Sequence, residues 1–278
     1  MLSNYVKHFQ LHLFFLLSLV ISWAVWIPEA VATLGGRDAS VAAGGPLGLL
    51  AVWGPGLSAI LLSLMMAGKA GTRALFSPIR RWRVGIQWYM LVILYPAAIL
   101  FIARATDAVL GRSYELTFMP ILTYFSTEQA MIMVPVALIS VLPNTLGEEL
   151  GWRGFALPKL QTKYNALVSS IILGLIWGIW HIPLWIALGR TGQALPIDAV
   201  NVIMPAILYT WVYNSTSGSL LLVWLFHFAM NTTGYLLAPI PTFTDEILGW
   251  IIVVLVVIIA GPAHLSHKKR LEPKPSAS

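Results

Sequence analysis

The sequence predicts an all-α fold, namely a polytopic helical membrane protein with about eight transmembrane helices around an intramembrane site. The 278-residue chain is 58% hydrophobic, 10% of its residues are charged, and its mean hydropathy is +0.79. Its apolar runs reach about 20 residues, which is the length of helix that crosses a bilayer. We see none of the short alternating segments that a membrane β-barrel requires.

The apolar runs define eight predicted spans, of which the sixth is short and contains Pro205. They lie at about 11–33, 47–67, 87–108, 129–157, 166–188, 199–213, 218–238 and 244–263. We therefore expect one transmembrane domain over 1–264, followed by a basic cytoplasmic tail over 265–278 that is disordered. The chain contains no cysteine, which excludes disulfides, thiolate catalysis and cysteine-ligated metals.

The distribution of charge predicts the orientation of these spans. With the N-terminus inside, 13 of the 17 Lys and Arg residues fall on the inner side. They are Lys7, Lys69, Arg73, Arg80, Arg81, Arg83, Arg153, Lys159, Lys163, Lys268, Lys269, Arg270 and Lys274. Most acids fall outside, namely Asp38, Asp107, Glu115, Glu128, Asp198, Asp245 and Glu246. This bias predicts that both termini are cytoplasmic, and loop basic residues here report topology rather than nucleic-acid binding.

Two segments have alternative interpretations. The first span could be a signal peptide, because Ala30-Val31-Ala32 resembles a cleavage site, but its apolar stretch is longer than a signal peptide needs and we expect a retained span. The basic segment Lys69–Arg83, with interleaved apolar residues, could lie along the inner interface against anionic lipid or be an ordinary positive-inside loop.

The charged residues of the fourth span are the main candidates for a functional site. Glu148, Glu149 and Arg153 lie inside apolar sequence, where an ionised side chain is costly unless it is paired or lines a polar cavity. Glu149 and Arg153 are four residues apart on one helix face and can pair. Glu148 points about 100° away, which leaves it available to accept a proton from water.

Two further polar pieces lie at similar depth. Trp177 and His181 share one face of the fifth span. The turn between spans four and five is expected near Tyr164-Asn165, with Glu148 16 residues before Tyr164 and His181 17 after it, so the two should face each other. In the seventh span His227 and Asn231 are also four apart, about 12–18 Å into the membrane at 1.5 Å per residue. Singly, each could be a packing or helix-bonding residue, but their convergence favours a site.

This ordered set resembles the CPBP family of intramembrane proteases, which includes the type II CAAX prenyl endopeptidases and the bacterial Abi proteins. The resemblance lies in Glu148-Glu149-x-x-x-Arg153, an aromatic-x-x-x-His motif ending at His181, and His227-x-x-x-Asn231, and it covers about 148–231. The amino-acid sequences of 148–158 and 180–185 also resemble those of bacterial members of the family. One departure is Trp177, where the family usually has Phe.

The resemblance implies an endopeptidase whose catalytic core is about 129–238. Glu148 and His181 would position and deprotonate a water, His227 and Asn231 would stabilise the oxyanion, and Glu149 with Arg153 would hold the first pair in place. The family is often named as metalloproteases, so zinc or another divalent metal on Glu148, His181 and His227 is an alternative. Because the chain has no His-Glu-x-x-His, we favour a metal-free mechanism.

The expected partners are a lipid bilayer and a membrane-anchored peptide or protein, which could be a prenylated CAAX substrate, and no nucleic acid. The expected location is a bacterial-type cell membrane. Two alternatives stay open. A proton-coupled transporter could use the same groups as a relay, although we see no duplicated half. A non-catalytic peptide-binding or immunity protein would be expected to have lost some of the six motif residues.

Overall fold

The computed structural model describes residues 2–37, 46–112, 127–190, 192, 194–237 and 242–266, and their regular secondary structure is helical, with no strand among them. The helices are α1 (Leu2–Leu34), α2 (Pro46–Val52), α3 (Gly54–Phe76), α4 (Ile86–Val109), α5 (Thr127–Glu149), α6 (Leu157–Leu160), α7 (Ala166–Ala187), α8 (Ala194–Asn201), α9 (Ile203–Ser215), α10 (Leu220–Leu237) and α11 (Phe243–Ala260). Asp38, Glu115 and the basic residues of the expected tail at 268–270 and 274 lie outside the described residues.

Every predicted span corresponds to a helical stretch, and the predicted all-helical membrane architecture is confirmed. Within the described ranges, six helices are long and apolar enough to cross a membrane, so the predicted count of eight is not confirmed. The fourth stretch falls outside the six and carries Pro135, Pro143 and the two glutamates. The seventh has only a shorter apolar helix, Leu220–Gly234.

Two helices depart from regular α geometry at informative places. In α3, Ala67 and Gly68 have non-helical backbone angles, so the helix kinks at the residue where the predicted second span ends. The kink uses a positive φ of 58° at Gly68, which glycine adopts without strain. Between α5 and α6 the backbone forms a π-helical segment, Leu150–Ala156. Such segments are rare and often mark functional sites.

Hydrogen bonds between side chains and main chain fasten α1 into the bundle. Trp180 Nε1 of α7 donates to Ser22 Oγ over 2.7 Å, and Ser22 Oγ donates to the carbonyl oxygen of Ala51 over 2.6 Å. Trp23 Nε1 in turn donates to the carbonyl of Trp180 over 3.1 Å. The indole ring of Trp180 packs edge-to-face against those of Trp26 and Trp152. These contacts place α1 in the core of the described structure, and its retention as a membrane span stays a prediction.

A buried ionic cluster joins the end of α4 to the start of α11. Arg104 contacts Asp245 at 2.9 Å and Asp107 at 3.4 Å, and Thr244 hydrogen-bonds Asp107. Thr242 and Asp245 form a capping box that begins α11. The charges neutralise one another, which makes their burial between two helices affordable. They hold this end of the bundle together.

Candidate functional site

Two glycines next to the glutamates, Gly147 of α5 and Gly151 of the π-helical segment, allow close packing against the residues around the start of α3. A Cβ on Gly147 would lie 2.8 Å from the Trp53 ring, and one on Gly151 would lie 2.4 Å from Cβ of Pro55. Only residues without a side chain allow backbones to approach this closely, as in small-x-x-x-small helix pairs in membranes. Glycine at both positions therefore lets α5 and the π-helical segment pack against the start of α3.

The predicted ion pair of the fourth span is present and fully buried. Nη1 of Arg153 lies 2.8 Å from Oε1 of Glu149, and both side chains have no solvent exposure. Among the described residues, Oε2 of Glu149 and Nε and Nη2 of Arg153 have no hydrogen-bond partner. Breaking such a pair would leave an uncompensated charge in a low-dielectric interior.

Two aromatic rings complete the environment of the arginine. The guanidinium carbon of Arg153 lies 4.4 Å from the centre of the Trp177 ring and 4.8 Å from that of Tyr209. Ring faces carry negative potential and stabilise a desolvated cation by about 2 kcal/mol or more. Trp177 belongs to α7 and Tyr209 to α9, so Arg153 joins three separate parts of the bundle. The close approach of α7 to α8 and α9 depends on Gly174 and Gly178.

Glu149 also contacts the first residue of the third predicted motif. Nδ1 of His227 lies 2.9 Å from Oε1 of Glu149, and His227 is 4% exposed. Because an ionised carboxylate can only accept hydrogen bonds, Nδ1 carries a proton. Nε2 has no hydrogen-bond partner among the described residues, and it is the ring atom left for chemistry. Glu149 therefore sets the orientation and tautomer of His227.

Glu148 points towards a different partner, as the predicted rotation around the helix requires. Its Oε2 accepts a hydrogen bond from Nε1 of Trp177 over 2.7 Å, and the side chain is 5% exposed. Trp177 thus contacts Glu148 through its N–H and Arg153 through its ring face. The same indole ring packs edge-on against His227, with centroids 5.3 Å apart. Trp177 is the shared neighbour of the two charged groups and the imidazole.

His181 lies one turn further along α7 and joins the cluster through Trp177. Its Nδ1 is 2.9 Å from the carbonyl oxygen of Trp177, and its ring stacks on Trp185 with centroids 5.0 Å apart and planes 8° apart. Since the carbonyl is an acceptor, Nδ1 is the protonated nitrogen and Nε2 is available. Among the described residues there is no hydrogen bond between His181 and Glu148.

The prediction that Glu148 faces His181 requires regular α-helices on both sides of the turn. The turn lies at the expected place, with Asn165 as the N-cap of α7. However, the π-helical segment Leu150–Ala156 lies between Glu148 and that turn and changes the rise per residue. As a result, the residue of α7 that contacts Glu148 is Trp177, one turn nearer the connection than His181. Direct cooperation of Glu148 and His181 stays a prediction.

Asn231 lies on α10 one turn beyond His227 and is half-buried. Residues four apart share a helix face, so its amide is on the side of the helix that carries His227. Among the described residues it has no hydrogen-bond partner. The interhelical hydrogen bond that would explain Asn231 as a packing residue is therefore not found there.

A cavity of about 300 Å³ lies beside this cluster. Residues of α4, α7, α8, α9, α10 and α11 line it, and most of the lining surface is apolar, although the charged side chains of Arg190, Asp198, Asp245 and Glu246 also line it. Trp185, which stacks on His181, forms one part of its wall, and Met230, next to Asn231, forms another. A cavity of this size with a mainly apolar wall and a few polar groups is typical of ligand-binding sites.

Glu148, His181 and His227 are the predicted alternative ligands of a metal ion. In the described part of the chain, no group of three or more His, Asp or Glu side chains is arranged to hold a metal ion. Trp177 contacts each of Glu148, His181 and His227. Because these three residues do not form such a group in the described structure, they do not fit a metal site as they are placed.

Tyr209 is the member of the cluster that the sequence did not reveal. It is buried in α9 with its ring on Arg153 and 5.5 Å from the ring of His227. The sequence around Tyr209 gave little indication of a role, because tyrosine is common in membrane helices and no charged, histidine or amide residue lies four positions away. Only the approach of α9 to α5 and α7 makes it a neighbour of the charged groups.

Two comparisons with known proteins find similarity over the part of the chain that contains these residues. Residues 130–233 match the family model described as "Type II CAAX prenyl endopeptidase Rce1-like". A curated relative, "CAAX prenyl protease 2" of Methanococcus maripaludis, is 33% identical over 130 residues, which is 41% of this chain and 43% of the relative. The match thus spans less than half the length of that relative. It confirms that the chain resembles the family of type II CAAX prenyl endopeptidases, over a segment that contains Glu148, Glu149, Arg153, His181, His227 and Asn231.

Proposed function

We propose that this protein is an intramembrane endopeptidase that hydrolyses a peptide bond of a membrane-associated substrate. The observation that carries the proposal is the buried cluster in which Glu149 holds both Arg153 and His227 while Glu148 lies alongside on Trp177. Charged groups at this depth are costly and need a functional reason. The similarity to type II CAAX prenyl endopeptidases supplies the reaction class.

In this mechanism Glu148 and His181 activate the attacking water. The water oxygen forms a bond with the carbonyl carbon of the substrate, and its proton passes to the carboxylate of Glu148 or to Nε2 of His181. When the tetrahedral intermediate collapses, the carbon–nitrogen bond breaks and that proton moves to the leaving amine. General acid–base transfer of this kind contributes about 10²–10⁴-fold to a rate. Support comes from the burial of Glu148 and the available Nε2 of His181.

His227 and Asn231 stabilise the negative oxygen that forms during the attack. With Nδ1 bonded to Glu149, a protonated His227 donates from Nε2, and the carboxylate stabilises the resulting imidazolium. The side-chain amide of Asn231 supplies a second donor from the same face of α10. Glu149 and Arg153 are positioning residues, because they touch His227 and Trp177 rather than the reacting atoms.

The cavity and the name of the relative support a proposal for the substrate class. A membrane-anchored peptide or protein, with a prenylated CAAX-type end as the specific candidate, would place its apolar portion in the cavity lined by Trp185 and Met230. The relative's name, "CAAX prenyl protease 2", points to the same class. We propose that the chain lies in a cell membrane of bacterial type with both termini on the cytoplasmic side, as the charge bias predicts.

The proposal is tested by cleavage assays on the full chain in detergent. A fluorogenic prenylated peptide and a small set of membrane-anchored peptides are incubated with wild type, Glu148→Gln and His227→Ala. We expect cleavage by wild type and a loss of about 10²-fold or more in kcat for each variant. Glu128→Gln is the matched control, because Glu128 is an exposed carboxylate on the same helix, and it should cleave like wild type.

The same assay with a chelator tests the role of metal. A rate that resists the chelator is expected for the mechanism above, and a rate that is lost and then restored by zinc would contradict it. Cleavage that survives in Glu148→Gln would show that another group is the base. If folded wild type cleaves none of the peptides, the proton-coupled transporter and the non-catalytic peptide-binding protein become the better interpretations.

A further inference from the structure

A polar cleft lies between the loop before α4 and the turn before α10, and none of the residues of the proposed catalytic cluster lines it. Its volume is about 530 Å³. Three arginines line it, namely Arg80, Arg81 and Arg83, together with the residues of the turn 215–217. Ser217 is the exposed residue of this turn, whereas Thr216 Oγ1 already donates to the carbonyl oxygen of Val212 over 2.7 Å. Guanidinium groups are donors that bind phosphate oxygens in proteins, often with two parallel hydrogen bonds.

The positive charge of this cleft is not neutralised locally. Among the described residues, no Asp or Glu lines the cleft, and neither Arg80 nor Arg83 forms a salt bridge. The structural arginines elsewhere differ, since Arg104 and Arg153 contact carboxylates within 3.4 Å. Three cations in one cleft without a carboxylate repel one another unless an anion binds between them.

One of the three arginines holds the walls of the cleft in place. Nη1 of Arg81 donates to the carbonyl oxygen of Ser217 over 2.6 Å, and Ser219 Oγ donates to the carbonyl of Arg81 over 2.7 Å. These bonds fix the loop against the turn. Because Arg81 has this structural role, Arg80 and Arg83 are the two cations that stay available for a ligand.

The surroundings of the cleft are those of a membrane interface. Trp82 lies between the arginines in sequence and is 58% exposed, with the guanidinium of Arg83 5.2 Å from its ring centre. Exposed tryptophans are enriched at the headgroup level of bilayers. The stretch of α3 after the kink at Gly68 presents Lys69 and Arg73 to the outside and buries Leu75, so it is amphipathic as well. This pattern is typical of a segment that lies in the interface.

We propose that the cleft binds the phosphate group of an anionic membrane lipid, with Arg80 and Arg83 as its ligands and Trp82 at headgroup depth. The lipid's phosphodiester would occupy the space between the loop and the turn, and its acyl chains would follow the outer surface of the bundle. The lipid site and the proposed catalytic cluster consist of different residues. The test of lipid binding is therefore independent of the test of proteolysis.

The test is native mass spectrometry of the full chain in detergent with added phosphatidylglycerol or phosphatidylcholine. We expect wild type to retain one phosphatidylglycerol and to prefer it over phosphatidylcholine. The double variant Arg80→Gln/Arg83→Gln should bind phosphatidylglycerol about 25-fold more weakly, from about fivefold for each cation near an anionic lipid. Both arginines are exposed, so the variant should keep the wild-type circular dichroism and elution volume.

The matched control is Lys69→Gln/Arg73→Gln, which removes two exposed cations of the same segment that do not line the cleft. It should bind phosphatidylglycerol like wild type. An equal loss in both double variants would mean diffuse attraction and would overturn the proposal, as would the absence of any preference over phosphatidylcholine. Inorganic phosphate is added in a separate arm, and displacement of the lipid by equimolar phosphate would overturn the assignment to a lipid.

Discussion

Oε1 of Glu149 accepts a hydrogen bond from Nδ1 of His227 over 2.9 Å, although 78 residues separate the two in the chain. The same oxygen is 2.8 Å from Nη1 of Arg153. One carboxylate oxygen therefore connects a cation on its own helix to an imidazole on α10. This relationship explains why Glu149 and Glu148, neighbours in sequence, have different roles in the proposed mechanism.

The first prediction concerns the buried ion pair. Arg153→Met should lower the free energy of unfolding by about 3–5 kcal/mol, because it leaves Glu149 charged without its cation. Glu149→Gln/Arg153→Met should lose less than the sum of the two single variants. Denaturation in detergent is followed by circular dichroism for Arg153→Met, Glu149→Gln and the double variant. Additive losses would show that the two side chains do not interact energetically.

The second prediction concerns Trp177, which contacts Glu148 through its N–H and Arg153 through its ring. Trp177→Phe keeps a ring face but removes the donor, so we expect the free energy of unfolding to fall by about 1.5–3 kcal/mol, because the buried carboxylate of Glu148 loses its hydrogen bond. We also expect a lower kcat, because that hydrogen bond orients Glu148. Trp177→Leu removes both the donor and the ring face and should lower the unfolding midpoint further. Peptide cleavage and thermal unfolding are measured for both variants. Equal stability of the Phe and Leu variants would contradict the cation–π contact with Arg153.

The third prediction concerns Tyr209, the residue that only the structure identified. Tyr209→Phe keeps the ring over Arg153 and should unfold at the wild-type temperature. Tyr209→Leu loses the ring face and should be destabilised by about 2 kcal/mol. Thermal unfolding of the two variants in the same detergent provides the comparison. A hydroxyl-dependent role would be indicated instead if the Phe variant lost as much stability as the Leu variant.

The fourth prediction concerns the glycines that bring α5 to α3. A Cβ on Gly151 would meet the backbone oxygen of Pro55 at 2.7 Å, so Gly151→Ala should cost about 1–3 kcal/mol through overpacking. Gly154→Ala is the control on the same segment, because its Cβ would meet nothing closer than 3.4 Å. Yield of folded protein and unfolding midpoint are measured for both. Equal behaviour of the two variants would argue against the close approach of α5 and α3.

Much of the site could be predicted because helix periodicity is local. Residues four apart share a helix face in any bundle, so the Glu149–Arg153 pair and the separate direction of Glu148 followed from spacing alone. The position of the turn at Asn165 also followed from composition. The contact of Glu148 with Trp177 could not be predicted. The prediction assumed the rise per residue of an α-helix, and the π-helical segment between Glu148 and the turn has a different rise.

The sequence alone determined the helical membrane architecture and the positions of the apolar stretches, and it predicted that six polar residues lie at membrane depth. These follow from the cost of placing polar groups in hydrocarbon, which acts on each residue separately. The tertiary structure decided which of these residues touch. The Glu149–His227 hydrogen bond, the aromatic faces of Trp177 and Tyr209 around Arg153, and the arginine-lined cleft all join distant segments. Such contacts depend on how closely helices approach one another, and that distance is set by glycines and kinks whose effect appears only when the bundle is packed.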